Sequence, residues 1–175
     1  MKNSTLHTFA LCALLATGPL AIAGEGHGDH DHATSTIGIA GDAAKATRTV
    51  NIDMNDTMRF TPANVQASQG ETIRFVVKNS GKVKHELVLG TKAALKEHYE
   101  MMMKFPEMEH ASPNMITLAP GQSGEVVWQF TRSGQVDFAC LQPGHYDAGM
   151  KGAVKVMVKK MPVHESKKMD EATHH

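Results

Sequence analysis

The chain has 175 residues, enough for one domain with appendages, and carries 18 Lys+Arg against 18 Asp+Glu. That balance gives no reason to expect nucleic acid as a partner, and the totals imply no strong docking field. Against only 2 Cys stand 12 Met and 11 His, the soft and borderline donors that copper and zinc take.

Residues 1–23 read as a secretory signal peptide. Lys2 supplies the positive start, and "FALCALLATGPLAIA" is an apolar stretch too short and too broken at Gly18-Pro19 to span a membrane. "AIA" before Gly24 is a small-x-small cleavage site, so cleavage is expected after Ala23, leaving an exported chain with no membrane span. Cys12 departs with the signal, and the bulky Leu11 before it argues against a lipid anchor. Cys140 then has no partner for an internal disulfide, so its thiol must be buried or bound.

Residues 24–45, "GEGHGDHDHATSTIGIAGDAAK", hold no hydrophobic period and read as a His-rich flexible tail. From 46 to 160 the pattern changes. "RTVNIDM", "ETIRFVVK", "KHELVLG", "GEVVWQF", "GQVDFAC" and "GAVKVMVK" are short, β-branched and bounded by Gly/Ser/Asn/Pro turns. Roughly six to eight strands at this spacing predict an all-β sandwich. "TKAALKEHYEMMMKF" breaks the run: it is rich in helix formers and is stopped by Pro106, giving a helical, Met-rich insertion over about 91–112. Residues 161–175 are a polar tail expected to fray.

The chemistry concentrates in "FACLQPGHYDAGMKG". Cys140, His145 and Met150 stand at even intervals between the end of one strand and the start of the last. A loop can bring thiolate, imidazole and thioether onto one ion, but a further ligand is needed. His85, opening the strand "HELVLG", is the best placed, with His98 and His110 of the insertion as rivals. Two His and a thiolate with a weak axial Met form a type 1 copper set, and structural zinc has little use for Met. Each residue also has a plain reading: Cys140 as a buried thiol, His145 as a surface residue, Met150 as core filler.

With His85, "VDFAC", the C-x₄-H-x₄-M loop and "KGAVKVMV" in place, the chain resembles the cupredoxins, the blue-copper proteins that include plastocyanins, azurins and pseudoazurins. The resemblance covers about residues 46–160. It implies a Greek-key β-sandwich with one copper near a pole, held by His85, Cys140, His145 and Met150, with His145 nearest solvent. The His-rich head, "KVKHELVLG" and the Met-rich insertion are similar to periplasmic cupredoxins associated with bacterial copper tolerance. There are departures. Plastocyanins and azurins place Asn after the upstream His, where it braces the Cys loop; here Glu86 stands. Plastocyanins have two residues between Cys and His, and azurins put the Met one residue closer.

Secondary copper donors are His27, His30 and His32 in the head, and His98, Met101, Met102, Met103, Met108 and His110 in the insertion. Residues 98, 101 and 102 would share a helix face. The insertion's thioethers either pack the helix onto the sandwich or hold Cu(I). Two functions compete: copper binding that supports tolerance, and diffusible electron transfer through a docking face of Leu141, Pro143 and Gly144 beside His145. Catalysis is not expected, because a single type 1 ion leaves no open position. The expected partners are copper ions and a periplasmic redox or copper-handling protein, with the chain itself a monomer.

Overall fold

A computed structural model describes residues 36–106, 108 and 111–159. The expected signal peptide, the head histidines His27, His30 and His32, His110 and the tail 161–175 lie outside the described residues.

Ten strands occur among the described residues: β1 (Ile39–Ala40), β2 (Arg48–Asn55), β3 (Arg59–Thr61), β4 (Asn64–Ser68), β5 (Thr72–Asn79), β6 (His85–Gly90), β7 (Met115–Leu118), β8 (Ser123–Gln129), β9 (Gly134–Ala139) and β10 (Lys151–Met157). They form two five-stranded sheets, ordered β1-β8-β5-β2-β3 and β4-β10-β9-β6-β7. The pairs β2/β5 and β4/β10 are parallel and the others antiparallel. The expected β-sandwich is present. Among the described residues, no helix is long and apolar enough to cross a membrane.

Period-two patterning explains the core. Ile73, Phe75 and Val77 of β5 are wholly buried, as their alternation predicts. Opposite them, Phe138 of β9 meets Phe60 of β3 edge-on, with ring centroids 5.1 Å apart. Gly152 of β10 pairs with Phe138, and a Cβ there would lie 2.2 Å from its ring. Only glycine admits the aromatic at this point.

β6 behaves differently, being buried along its whole length. Its second face is covered by α1 (Lys92–Lys104), which Thr91 caps by accepting from the Ala94 N–H at 3.1 Å. Leu95, Tyr99 and Met102 of α1 form a second core with Val88, Ala139, Leu141 and Tyr146. A strand covered on both faces reads as a continuous apolar run. The helix ends at Lys104, just ahead of Pro106, as expected.

The domain begins earlier than residue 46. Ile37 is 3% exposed in the main core, its carbonyl accepts from Trp128 Nε1 at 3.1 Å, and β1 pairs with β8. Residues 36–45 are therefore partly structured. Two isoleucines among Gly, Ala and Thr are too few to show a period. The short strands β1, β3, β4 and β7 have only two to five residues each, too few for the sequence to mark them by alternation.

Phe138→Ala should destabilise the protein by about 3–5 kcal/mol. It would appear as a lower denaturant midpoint at unchanged slope.

Candidate metal centre

Three elements deliver the donors to one pole. His85 opens β6, Cys140 follows the last residue of β9, and His145 lies in the loop before β10. Cys140 Sγ is 3.3 Å from His145 Nδ1, which is 3.2 Å from His85 Nδ1. The three ligand atoms all lie within 4.8 Å of one another. Donors held at metal–ligand distances of about 2.0–2.3 Å must converge on this scale. His85 is the upstream partner. His98 lies on α1, half-buried and outside this cluster.

The loop is fastened by its own backbone. His145 N donates to Gln142 O at 3.0 Å, and Ala148 N donates to Gly144 O at 3.0 Å. Met150 N donates to His145 O at 3.0 Å, and Cys140 N donates to Met150 O at 3.1 Å. The spacing of four therefore closes a compact loop whose two ends are hydrogen-bonded to each other. Met150 is wholly buried in the same core cluster as Cys140. Gly144 sits at φ +83, which the turn before His145 requires.

Glu86 does the bracing that its position after the upstream His calls for. It is 3% exposed. Its Oε1 accepts from Leu141 N at 2.9 Å, and its Oε2 accepts from Thr117 Oγ1 at 3.1 Å and Gln142 Nε2 at 3.3 Å. Its own N–H donates to Cys140 Sγ at 3.4 Å. A buried carboxylate is tolerated because its oxygens are met by donors.

Asp56 was not picked out by sequence reasoning, since nothing in "MNDTM" marks it. Its Oδ1 is 3.1 Å from His85 Nε2, fixing the ring with Nδ1 turned to the other donors. Asp56 also accepts from Lys82 N at 2.8 Å and Val83 N at 3.4 Å. Gly81 makes room for it: a Cβ there would sit 2.1 Å from Asp56 Oδ1. The Lys82 N–H first, and His85 with it, hold the Asp56 carboxyl below its ordinary value.

Tyr99 ties the helix to the loop. It accepts from Gly144 N at 3.2 Å, donates to Asp147 Oδ2 at 2.9 Å, and its ring stacks on Tyr146 at 5.1 Å. Lys151 Nζ lies 3.7 Å over the Tyr146 ring.

Burial pushes the Cys140 thiol up to about 12, partly offset by the N–H groups of Glu86 and Gln142. Burial first, and the neighbouring His85 second, lower His145. The imidazole is thus ready as a neutral ligand near neutral pH, while the thiol keeps its proton until a cation displaces it.

The insertion's donors separate. Met101 and Met103 are exposed and Met102 is buried, so the shared face expected for residues 98, 101 and 102 is split. The 100° step between neighbours turns Met101 outward. The proposed docking face also changes: Leu141 is wholly buried in the helix-side core, leaving Pro143 and Gly144 exposed.

Two outcomes follow. Copper affinity should rise about tenfold per pH unit above neutrality, because binding expels the single Cys140 proton. It should rise more steeply below the His145 pKa, where a second proton leaves; chelator competition across a pH series measures both, and a flat profile would remove the thiolate from the ligand set. Glu86→Leu strands the Leu141 N–H and should cost about 1–3 kcal/mol. Glu86→Gln keeps an acceptor there and should lose clearly less; equal losses in chemical denaturation would refute the bracing role.

The family model "Copper binding proteins, plastocyanin/azurin family" matches residues 46–157. A "Copper-resistant cuproprotein CopI" of Rubrivivax gelatinosus is 51% identical over 164 residues, covering 89% of this chain and 99% of that protein. The protein of the same description in Vibrio cholerae is 34% identical over 123 residues, covering 70% and 73%. Among solved structures, reduced auracyanin of Roseiflexus castenholzii aligns with TM-score 0.54 at 23% identity, covering 64% of this chain and 98% of that one. Auracyanin B aligns with TM-score 0.55 at 21% identity, covering 69% and 94%. The fold, the convergent His85, Cys140 and His145 and these likenesses agree: the chain belongs to the plastocyanin/azurin family of copper-binding proteins, as a cupredoxin related to the copper-resistant cuproproteins CopI.

Proposed function

We propose that this cupredoxin binds copper in the periplasm and thereby supports copper tolerance. The observation that carries this reading is the convergence of Cys140 Sγ and the two Nδ1 atoms of His85 and His145. In this reading the Cys140 thiolate and the imidazoles of His85 and His145 would hold the copper as its strong ligands, and the Met150 thioether would be a weaker donor. Copper held there would exchange between its two oxidation states at a centre whose ligands are already fixed. Asp56 orients His85, Glu86 fixes the chain beside Cys140, and Tyr99 steadies the backbone at Gly144. The burial of Cys140 and Met150 keeps water from the thiolate side. The likeness to copper-resistant CopI proteins supports a tolerance role, as do the head histidines, which an electron carrier does not need. The expected signal peptide supports the compartment.

Electron transfer is the second reading. His145 is only partly covered, between exposed Pro143 and Gly144, so a redox partner could approach the centre there.

Titrating Cu(II) into the mature chain from Gly24 should raise an intense thiolate-to-copper band that saturates at one equivalent and vanishes in Cys140→Ser. Deleting the gene should sensitise the cells to copper. Lost respiration without copper sensitivity would select the electron carrier, and absence of the band at every loading would sink both readings.

A further inference from the structure

A cleft of about 320 Å³ opens between α1, the turn after it and the β6–β7 pair. Its walls carry three thioethers, from Met102, Met108 and Met115, together with Lys84, Glu86 and Gln142. These methionines come from separate places: the last turn of the helix, the turn beyond it, and the start of β7. Met102 is 4% exposed in the helix-side core and Met115 packs against that core, and both also line the cleft. Met115 is half-buried, and Met108 is 42% exposed although its N–H is tied to Phe105 O at 3.0 Å.

A second observation concerns the chain that leads into the cleft. Met101, Met103, Phe105 and Met108 are all exposed large apolar residues within a single short stretch. Thioethers used as core filler are buried, and exposed ones gain little from packing. Of these, Met108 lines the cleft, where an exposed thioether beside those of Met102 and Met115 fits a soft cation better than it fits a core.

We infer that Met102, Met108 and Met115 form a second, Cu(I)-selective site in this cleft, separate from the cysteine centre. Three neutral sulfurs suit Cu(I), which takes few, soft ligands; they suit Cu(II) and zinc poorly. Binding releases no proton, unlike binding at Cys140, so the site accepts Cu(I) with little dependence on pH. Glu86 lies on the wall and supplies negative charge toward the bound cation, against the positive charge of Lys84. The same Glu86 accepts from Leu141 N beside Cys140, so the two centres share one wall. This inference rests on the copper-handling reading above and adds a donor, Met115, that lies outside the insertion's Met cluster.

The test is anaerobic Cu(I) titration of the copper-loaded, ascorbate-reduced mature protein against a chromogenic chelator. One further equivalent should bind, with a sulfur-only first shell by X-ray absorption. Met108→Leu/Met115→Leu conserves volume and leaves buried Met102 in place. It should weaken that equivalent at least tenfold while leaving the thiolate band of the oxidised protein unchanged, which also shows that the variant is folded. Cys140→Ser should abolish the band and keep the cleft equivalent. No second equivalent in the wild type, an unchanged affinity in the double variant, or loss of the cleft equivalent in Cys140→Ser would each overturn the proposal. A missing thiolate band alongside Cu(I) bound in the cleft would instead refute only the cysteine centre.

Discussion

The centre depends on burying one carboxylate. Glu86 is 3% exposed between β6 and the Cys140 loop, and its oxygens accept from Leu141 N, Thr117 Oγ1 and Gln142 Nε2. Without those donors, a carboxylate in such a place would be strongly destabilising. With them, it fastens the strand that carries His85 to the loop that carries Cys140 and His145. Its backbone N–H meets Cys140 Sγ as well, so one residue positions both the chain and the sulfur. The residue directly after the upstream histidine thus braces the loop through a carboxylate met by three donors.

The helical insertion belongs to the same construction. It covers the outer face of β6 and of the end of β9, so that β6 is buried on both sides. Tyr99 then reaches the ligand loop at Gly144 and Asp147. A loop closed by its own backbone, capped by a buried tyrosine and anchored by a carboxylate has few ways to rearrange. Copper's two oxidation states prefer different geometries, so a rigid set of donors limits the reorganisation that accompanies a change of state.

Two kinds of donor thus lie on either side of Glu86. At the pole are a thiol and two imidazoles, where binding a cation means losing the Cys140 proton. In the cleft are thioethers that carry no proton. On the proposed reading, binding at the first responds to pH and binding at the second does not, which would divide a redox centre from a reservoir for the reduced ion.

The amino-acid sequence alone determined much. The period-two runs in Thr72–Asn79 and Gly134–Ala139 dictated strands, since only a pleated chain puts alternate residues on one face. The C-x₄-H-x₄-M loop marked its own donors because all three lie within one short segment. Tertiary structure decided what local pattern cannot carry. Which upstream histidine joins the loop and the meeting of Asp56 with His85 both depend on tertiary contacts across long sequence separations. So does the burial of Ile37, which becomes core only when β1 finds β8. Such contacts leave no trace in a single chain, because each residue's role is set by a partner dozens of positions away.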